Sequence, residues 1–333
     1  MRITRDLLLK IAQEKADEYL RGDRGILGAY LYGSLLTQEP LLGGATDIDL
    51  VLVHHEDLAE RREIVRLTAE IHLDIMHHGR GVYRHAKELR GDPWLGPVLY
   101  AAKILHDSQH FLDFIQASVR GQFYRPDNVL KRASALAEQA RQTWMALNLQ
   151  PPPGLPAKIA AYLLALETAA NAVASLSGPP LATRRLLREF PERTTQIGHS
   201  GLSTGLLGLL GSANVDADSL RSWLNAWTAT LEAIPPAQLP AQLQPSRWGY
   251  YRQGIEALLI SDKPPAALWP LLTTWTQAVG LLAERTPLCD PWEQVIARLG
   301  LSGAAFDERL TALDAYLDTV EDVLEAWGRA NGA

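Results

Sequence analysis

Three aspartates carry the chemical interest of this sequence. Asp47 and Asp49 flank one apolar residue in Thr46-Asp47-Ile48-Asp49-Leu50-Val51-Leu52-Val53, and Asp74 sits inside Ile71-His72-Leu73-Asp74-Ile75-Met76. Both stretches read as β-strands, where residues two apart point to the same side. Asp47 and Asp49 therefore share a face. Like charges on one face repel, and a fold tolerates them best with a cation between them. Upstream, apolar Leu31-Tyr32 runs into Gly33-Ser34, and twelve residues separate Ser34 from Asp47. Glycine leaves the backbone open to close approach, and serine offers a hydroxyl and an N–H to an anion. The chemistry this predicts is a divalent cation held beside a phosphate-sized loop.

The elements that must position these residues alternate between helix and strand. Leu8, Ile11, Ala12, Ala16 and Leu20 recur at helical spacing and predict an amphipathic helix over 4–22. Strands are expected over 26–32, 47–53 and 71–76, with a fourth over 98–106. A short helical turn is expected over 34–38, a charged helix over 56–70 and another helix over 82–89. Beyond Phe111 no β-rich stretch remains. Helices are expected over 128–147, 157–176, 181–190, 216–233, 247–260, 265–284 and 306–328, punctuated by Pro151-Pro152-Pro153-Gly154, Pro235-Pro236 and Pro264-Pro265. The fold class is α+β: a small mixed-sheet domain over 1–115, then an all-α bundle over 116–333.

Strand, Gly33-Ser34, a gap of twelve, Asp47-Ile48-Asp49 and a later strand with Asp74 together resemble the nucleotidyltransferase superfamily that contains DNA polymerase beta and kanamycin nucleotidyltransferase. The resemblance covers residues 26–76 well and 98–107 loosely. It implies that Asp47, Asp49 and Asp74 hold two Mg²⁺ ions, with Asp74 favouring deprotonation of the acceptor. It also implies that Gly33 and Ser34 meet the phosphates of ATP or another NTP. Thr46 stands beside the first acid, where it would touch phosphate or cap a turn. Glu70 is the rival third acid. In antibiotic-modifying relatives an acid of the helical domain serves as general base. Glu167, in the apolar run Leu163-Leu164-Ala165-Leu166-Glu167-Thr168, is the candidate here, with a solvated helix face as the plain alternative.

Other features carry less. His54, His55, His72, His77, His78 and His85 lie within 32 residues, but neighbours on a strand point to opposite sides, so surface or pocket-rim positions are expected rather than a zinc site, with His72, on the face of Asp74, the one placed to reach a nucleotide. Arg193 and His199 are spaced loosely like the ribonuclease motif of HEPN domains, with Pro191 and Gly198 set against it. Arg247-Trp248-Gly249-Tyr250-Tyr251-Arg252 is aromatic and basic, as a ligand-gripping segment would be. The tryptophans are expected in the core.

The formal charge of −6 argues against a generic polyanion partner, since nucleic-acid affinity leans on Lys and Arg. The lone Cys289 excludes an internal disulfide and a cysteine metal cluster. No signal-type apolar core opens the chain and no transmembrane-length apolar run is seen, so the expected location is the cytoplasm. The sequence thus predicts Mg²⁺-dependent transfer of a nucleoside monophosphate to a hydroxyl of a small molecule. A toxin-like or regulatory transferase acting on tRNA or protein is the second expectation, and a degenerate nucleotide-binding protein the third. Acids more than about 8 Å apart would be too distant to share a metal pair and would sink both enzyme readings.

Overall fold

The structure is a computed structural model that describes residues 3–37, 39–68, 70–282 and 286–333. It is α+β, and the chain divides into two compact units: Met1–Asn128 with Ser246–Gly254, and Val129–Pro245 with Ile255–Ala333.

The first unit is built on a mixed five-stranded sheet. Helix α1 (Arg5–Gly22) opens it, capped by Thr4, whose hydroxyl accepts from the Leu7 N–H at 3.3 Å. Strands β1 (Ile26–Tyr32), β2 (Thr46–His54), β3 (Arg61–Arg66), β4 (Ile71–Gly79) and β5 (Lys103–Asp107) follow, in the spatial order β3-β4-β2-β1-β5. Only β2 and β4 run parallel. Strand alternation splits the core in two. Ile48, Leu50 and Leu52 of β2 join Leu73 and Ile75 of β4 against Leu8, Ala12 and Ala16 of α1. On the other side, Val51 and Val53 join Tyr30 against Leu99, Leu112, Ile115 and Val119. The last four belong to α2 (Leu95–Ala101) and α3 (Phe111–Arg120). Asp47 and Asp49 share the parity of Val51, and so lie on this second face.

Three expectations for this unit need correction. The stretch expected as a charged helix over 56–70 is largely the edge strand β3; its Ile64-Val65 pair is β-branched, and flanking arginines and Glu63 are what an exposed edge carries. Residues 82–89 form short 3-10 turns, Arg80–Tyr83 and Glu88–Gly91, instead of a helix. The fourth strand begins only at Lys103, because Leu95–Ala101 is helical. Residues 38, 69, 283 and 284, which fall within three of the expected helices, lie outside the described residues.

The second unit is helical. It contains α4 (Pro126–Leu149, from Val129), α5 (Leu155–Ala174), α6 (Leu186–Gln196), α7 (Gly201–Leu209), α8 (Ala217–Glu232), the end of α9 (Pro245–Leu259), α10 (Leu268–Gly280), α11 (Cys289–Arg298) and α12 (Gly303–Asn331). Helix α6 begins five residues later than the 181–190 reading placed it and runs through Pro191, while α7 and α11 were not foreseen. Trp227, Trp269, Trp275 and Trp292 are fully buried, as expected of core residues, whereas Trp223, Trp248 and Trp327, expected there too, are only half-buried. Three of the fully buried indole N–H groups find hydroxyls: Trp227 donates to Thr274 and Trp275 to Thr230, each at 3.0 Å, a reciprocal pair between α8 and α10, and Trp292 donates to Thr276 at 3.1 Å. Among the described residues, only α5 is long and apolar enough to cross a membrane, and most of it is buried. Asn171 on this helix ties down the chain at Leu181, accepting from its N–H at 2.6 Å. The Tyr162 hydroxyl donates to the Leu209 carbonyl at 3.0 Å, so both residues serve packing.

Candidate functional site

The parallel β2–β4 ladder places Asp49 opposite Asp74 and Asp47 opposite His72. The antiparallel β1–β2 ladder places Tyr32 opposite Asp49, so the turn that leaves β1 passes beside that carboxylate. One ligand oxygen from each of Asp47, Asp49 and Asp74 lies within 4.8 Å of the others. That is well inside the separation at which the metal reading would fail. Among the described residues this is the one group of three or more ligating side chains that converges so closely. Glu70, the rival third acid, instead accepts from the Thr68 hydroxyl at 2.9 Å in the turn between β3 and β4.

Gly33 occupies a backbone conformation, φ +79° and ψ −159°, that is open essentially to glycine alone. A β-carbon here would collide with the Asp49 carboxylate. The glycine therefore sets both the turn and the room for the acid. Ser34 begins a 3-10 turn, Ser34–Leu36, and its hydroxyl lies 3.4 Å from that of Thr46. Thr46 is fully buried and donates to the Pro40 carbonyl at 3.0 Å, which pins the loop between β1 and β2.

Two arginines that motif reading did not select stand against the acids. Arg62 of β3 forks onto Asp74, with Nε to Oδ1 at 2.8 Å and Nη2 to Oδ2 at 2.5 Å. Arg247, on the part of α9 that belongs to the first unit, bridges two carboxylates. Its Nη1 donates to Asp74 Oδ2 at 2.7 Å, and its Nη2 to Asp47 Oδ2. Asp47 and Arg247 are each 3% exposed and Asp74 1%, so these are buried charges, which need partners to be tolerated. The guanidinium also lies 4.8 Å from the centre of the Tyr250 ring and 5.9 Å from that of Tyr251. Buried His72 sits edge-on to Tyr250, its Nδ1 3.8 Å from Asp47 Oδ1. Arg62 had a signal in the alternation of β3, masked by its charge. Arg247 had one in the Arg-Trp-Gly-Tyr-Tyr-Arg run, without any hint of its target.

The electrostatics follow from this crowding. Burial, then the carboxylates of Asp47 and Asp74, push the Asp49 carboxyl well above the usual range, against the pull of Arg247 and Arg62. Burial opposes the charge of Arg247, but Asp47, the two tyrosine rings and Asp74 outweigh it and hold the guanidinium more firmly protonated. Burial, then Asp49 and Asp74, raise the Tyr32 hydroxyl. Three carboxylates thus face two guanidinium groups, and the crowding disfavours the charged form of Asp49.

The acids fit a hard divalent cation by donor type and spacing. Arg247 engages two of these three acids, through Asp47 Oδ2 and Asp74 Oδ2.

Glu167 belongs to the second unit, on α5, half-buried, and burial raises its carboxyl to about 7. No three of the histidines converge among the described residues, and the expectation of surface positions fails for His72 and His77, which are buried. His54 Nε2 and His77 Nδ1 share a hydrogen bond of 3.0 Å, and His78 Nδ1 bonds the Tyr83 hydroxyl at 2.7 Å. Arg193 lies on α6 and packs against Gly178, while His199 follows the helix.

The chain matches no protein-family model and none of the curated proteins with which it was compared.

Proposed function

We propose that this protein is a nucleotidyltransferase whose small mixed-sheet domain is of the polymerase-beta and kanamycin-nucleotidyltransferase type. More particularly, it is a Mg²⁺-dependent enzyme that moves a nucleoside monophosphate from an NTP, ATP foremost, to a hydroxyl of a small molecule. The observation that carries this reading is the convergence of Asp47, Asp49 and Asp74 beside the Gly33 turn.

Mg²⁺ held by these three aspartates would supply Lewis-acid chemistry, easing loss of the acceptor's proton and neutralising the phosphates. Gly33 admits the phosphate chain close to the backbone, and Ser34 offers its hydroxyl and N–H. Arg62 keeps the Asp74 carboxylate in one orientation, and Asp74 would favour deprotonation of the acceptor hydroxyl. The acceptor oxygen bonds the α-phosphorus as the bond to the β-phosphate oxygen breaks, and pyrophosphate leaves. The acidic balance of the chain supports a small acceptor over a nucleic acid.

A second reading, a nucleotide-binding protein without transfer, draws on Arg247, which bridges two of the three acids. One assay separates the two: Mg²⁺-dependent pyrophosphate release with each NTP against pools of hydroxyl acceptors, with the Asp47→Ala/Asp49→Ala chain as control. Release that vanishes in the control supports the transferase. Release that persists there removes the assigned site, and its absence from the unaltered chain with every pool favours the second reading.

A further inference from the structure

We propose that Arg247 is a latch on the metal site: its guanidinium holds the place of a divalent cation in the unloaded protein, and cation binding expels it. The inference rests on the function proposed above. Two structural facts carry it. The first is shared residues, since Arg247 donates to the carboxylates of Asp47 and Asp74, two of the three acids in the one group, among the described residues, whose spacing suits a metal. A guanidinium bridging these carboxylates and a divalent cation bound to them repel at contact distance, so the two compete for the site. The second is that the two arginines are built differently. Arg62 is part of the sheet itself, pairs with the single carboxylate of Asp74, and has a side chain 37% exposed. Arg247 spans two acids from a helical segment, Ser246–Gly254, which reaches the first unit from far along the sequence. Apart from the ion pairs, ring contacts such as that of Tyr250 with His72 attach this segment to the acids' end of the sheet.

The latch costs the protein metal affinity and gives it a neutralised, folded site when metal is scarce. Three adjacent carboxylates, two of them buried, would repel one another, and a guanidinium bridging two of them offsets that repulsion. Arg247 is thus a positioning residue of the unloaded state and a competitor of the loaded one.

Binding of Mn²⁺ alone to the full chain, read from the electron-spin-resonance signal of the free ion, tests the proposal without any turnover. Arg247→Gln should bind Mn²⁺ about tenfold more tightly or better than the unaltered chain, the scale set by loss of a buried ion-pair partner. Asp49→Asn should abolish binding in both. Saturable binding that needs Asp49 and is indifferent to Arg247→Gln overturns the latch and leaves the proposed function standing. Absence of binding in every chain overturns both. A second measurement on the unaltered chain covers a variant that fails to fold. Amide exchange of residues 246–254 should accelerate when Mn²⁺ saturates the site, and unchanged or slower exchange there overturns the latch.

Discussion

Gly33→Ala tests the geometry of the acid site more directly than any change to the acids. The substitution adds one methyl group at φ +79°, ψ −159°, where the new β-carbon runs into the Asp49 carboxylate. The backbone part of the cost is about 1–3 kcal/mol, the range for a non-glycine residue in a conformation of this kind. Asp49 must also turn aside, and it turns within a site crowded by two other acids, which adds about 1 kcal/mol or more. Gly44→Ala provides the matched control. Gly44 has a similar φ of +78° but open space where its β-carbon would go, so it bears a backbone cost without the collision. The fully buried tryptophans lie in the second unit, so their fluorescence would report the wrong half of the chain. Amide exchange of β1 and β2 reads the first unit alone. Gly33→Ala should lower the local stability of those strands by about 2–4 kcal/mol, and Gly44→Ala by about 1 kcal/mol. In an Asp49→Ala background the Gly33→Ala cost should shrink by about 1 kcal/mol, because the collision partner is gone. Equal costs at positions 33 and 44, or no coupling between positions 33 and 49, would refute the description of the turn.

Two further predictions concern the helical unit. Glu167 has its carboxyl raised from 4.5 to about 7, so between those values the folded chain keeps a proton that the unfolded chain releases, and stability falls as pH rises through that window. Glu167→Gln abolishes the slope: melting of the two chains should agree near pH 4.5 and differ by roughly 1–2 kcal/mol in favour of the variant at pH 8, a figure discounted for partial exposure, and a variant less stable at pH 8 would count against burial as the cause. Thr274→Val keeps the shape of the side chain but leaves the Trp227 indole N–H without its 3.0 Å acceptor, which should cost about 1–3 kcal/mol in urea unfolding followed by tryptophan fluorescence. A cost below about 0.5 kcal/mol would mean that the hydroxyl contributes nothing.

How much of this was legible in the sequence depended on whether a feature was local. Asp47 and Asp49 were readable because the strand period of two puts them on one face whatever surrounds them. Asp74 was readable for the same reason, in a stretch whose alternate residues Leu73 and Ile75 are apolar. Gly33 was readable as a turn, though not as the residue that makes room for Asp49. Strand β3 was misread because its solvent edge lets charged residues stand at nearly every position, so the period of two is buried in a composition that suits a helix. Arg247 could not be assigned a target, since no periodicity links a residue to a partner 173 or 200 positions away. The bundle was legible as helices because proline and glycine mark their ends. Glu167 shows the limit of that reading: an acid in an apolar helix was visible, and its environment was not.

The long reach of Arg247 bears on how the protein is made. A chain synthesised from its N-terminus presents β2, β3 and β4 early, and with them all three aspartates and Arg62. The second guanidinium emerges only after another 173 residues beyond Asp74. Closing so long a loop costs little more than closing a moderate one, but it is slow, and contacts of this kind form late. A nascent sheet that folds promptly therefore waits with excess negative charge at one end until residue 247 leaves the ribosome, and any cation in the surroundings has first access to the acids during that interval.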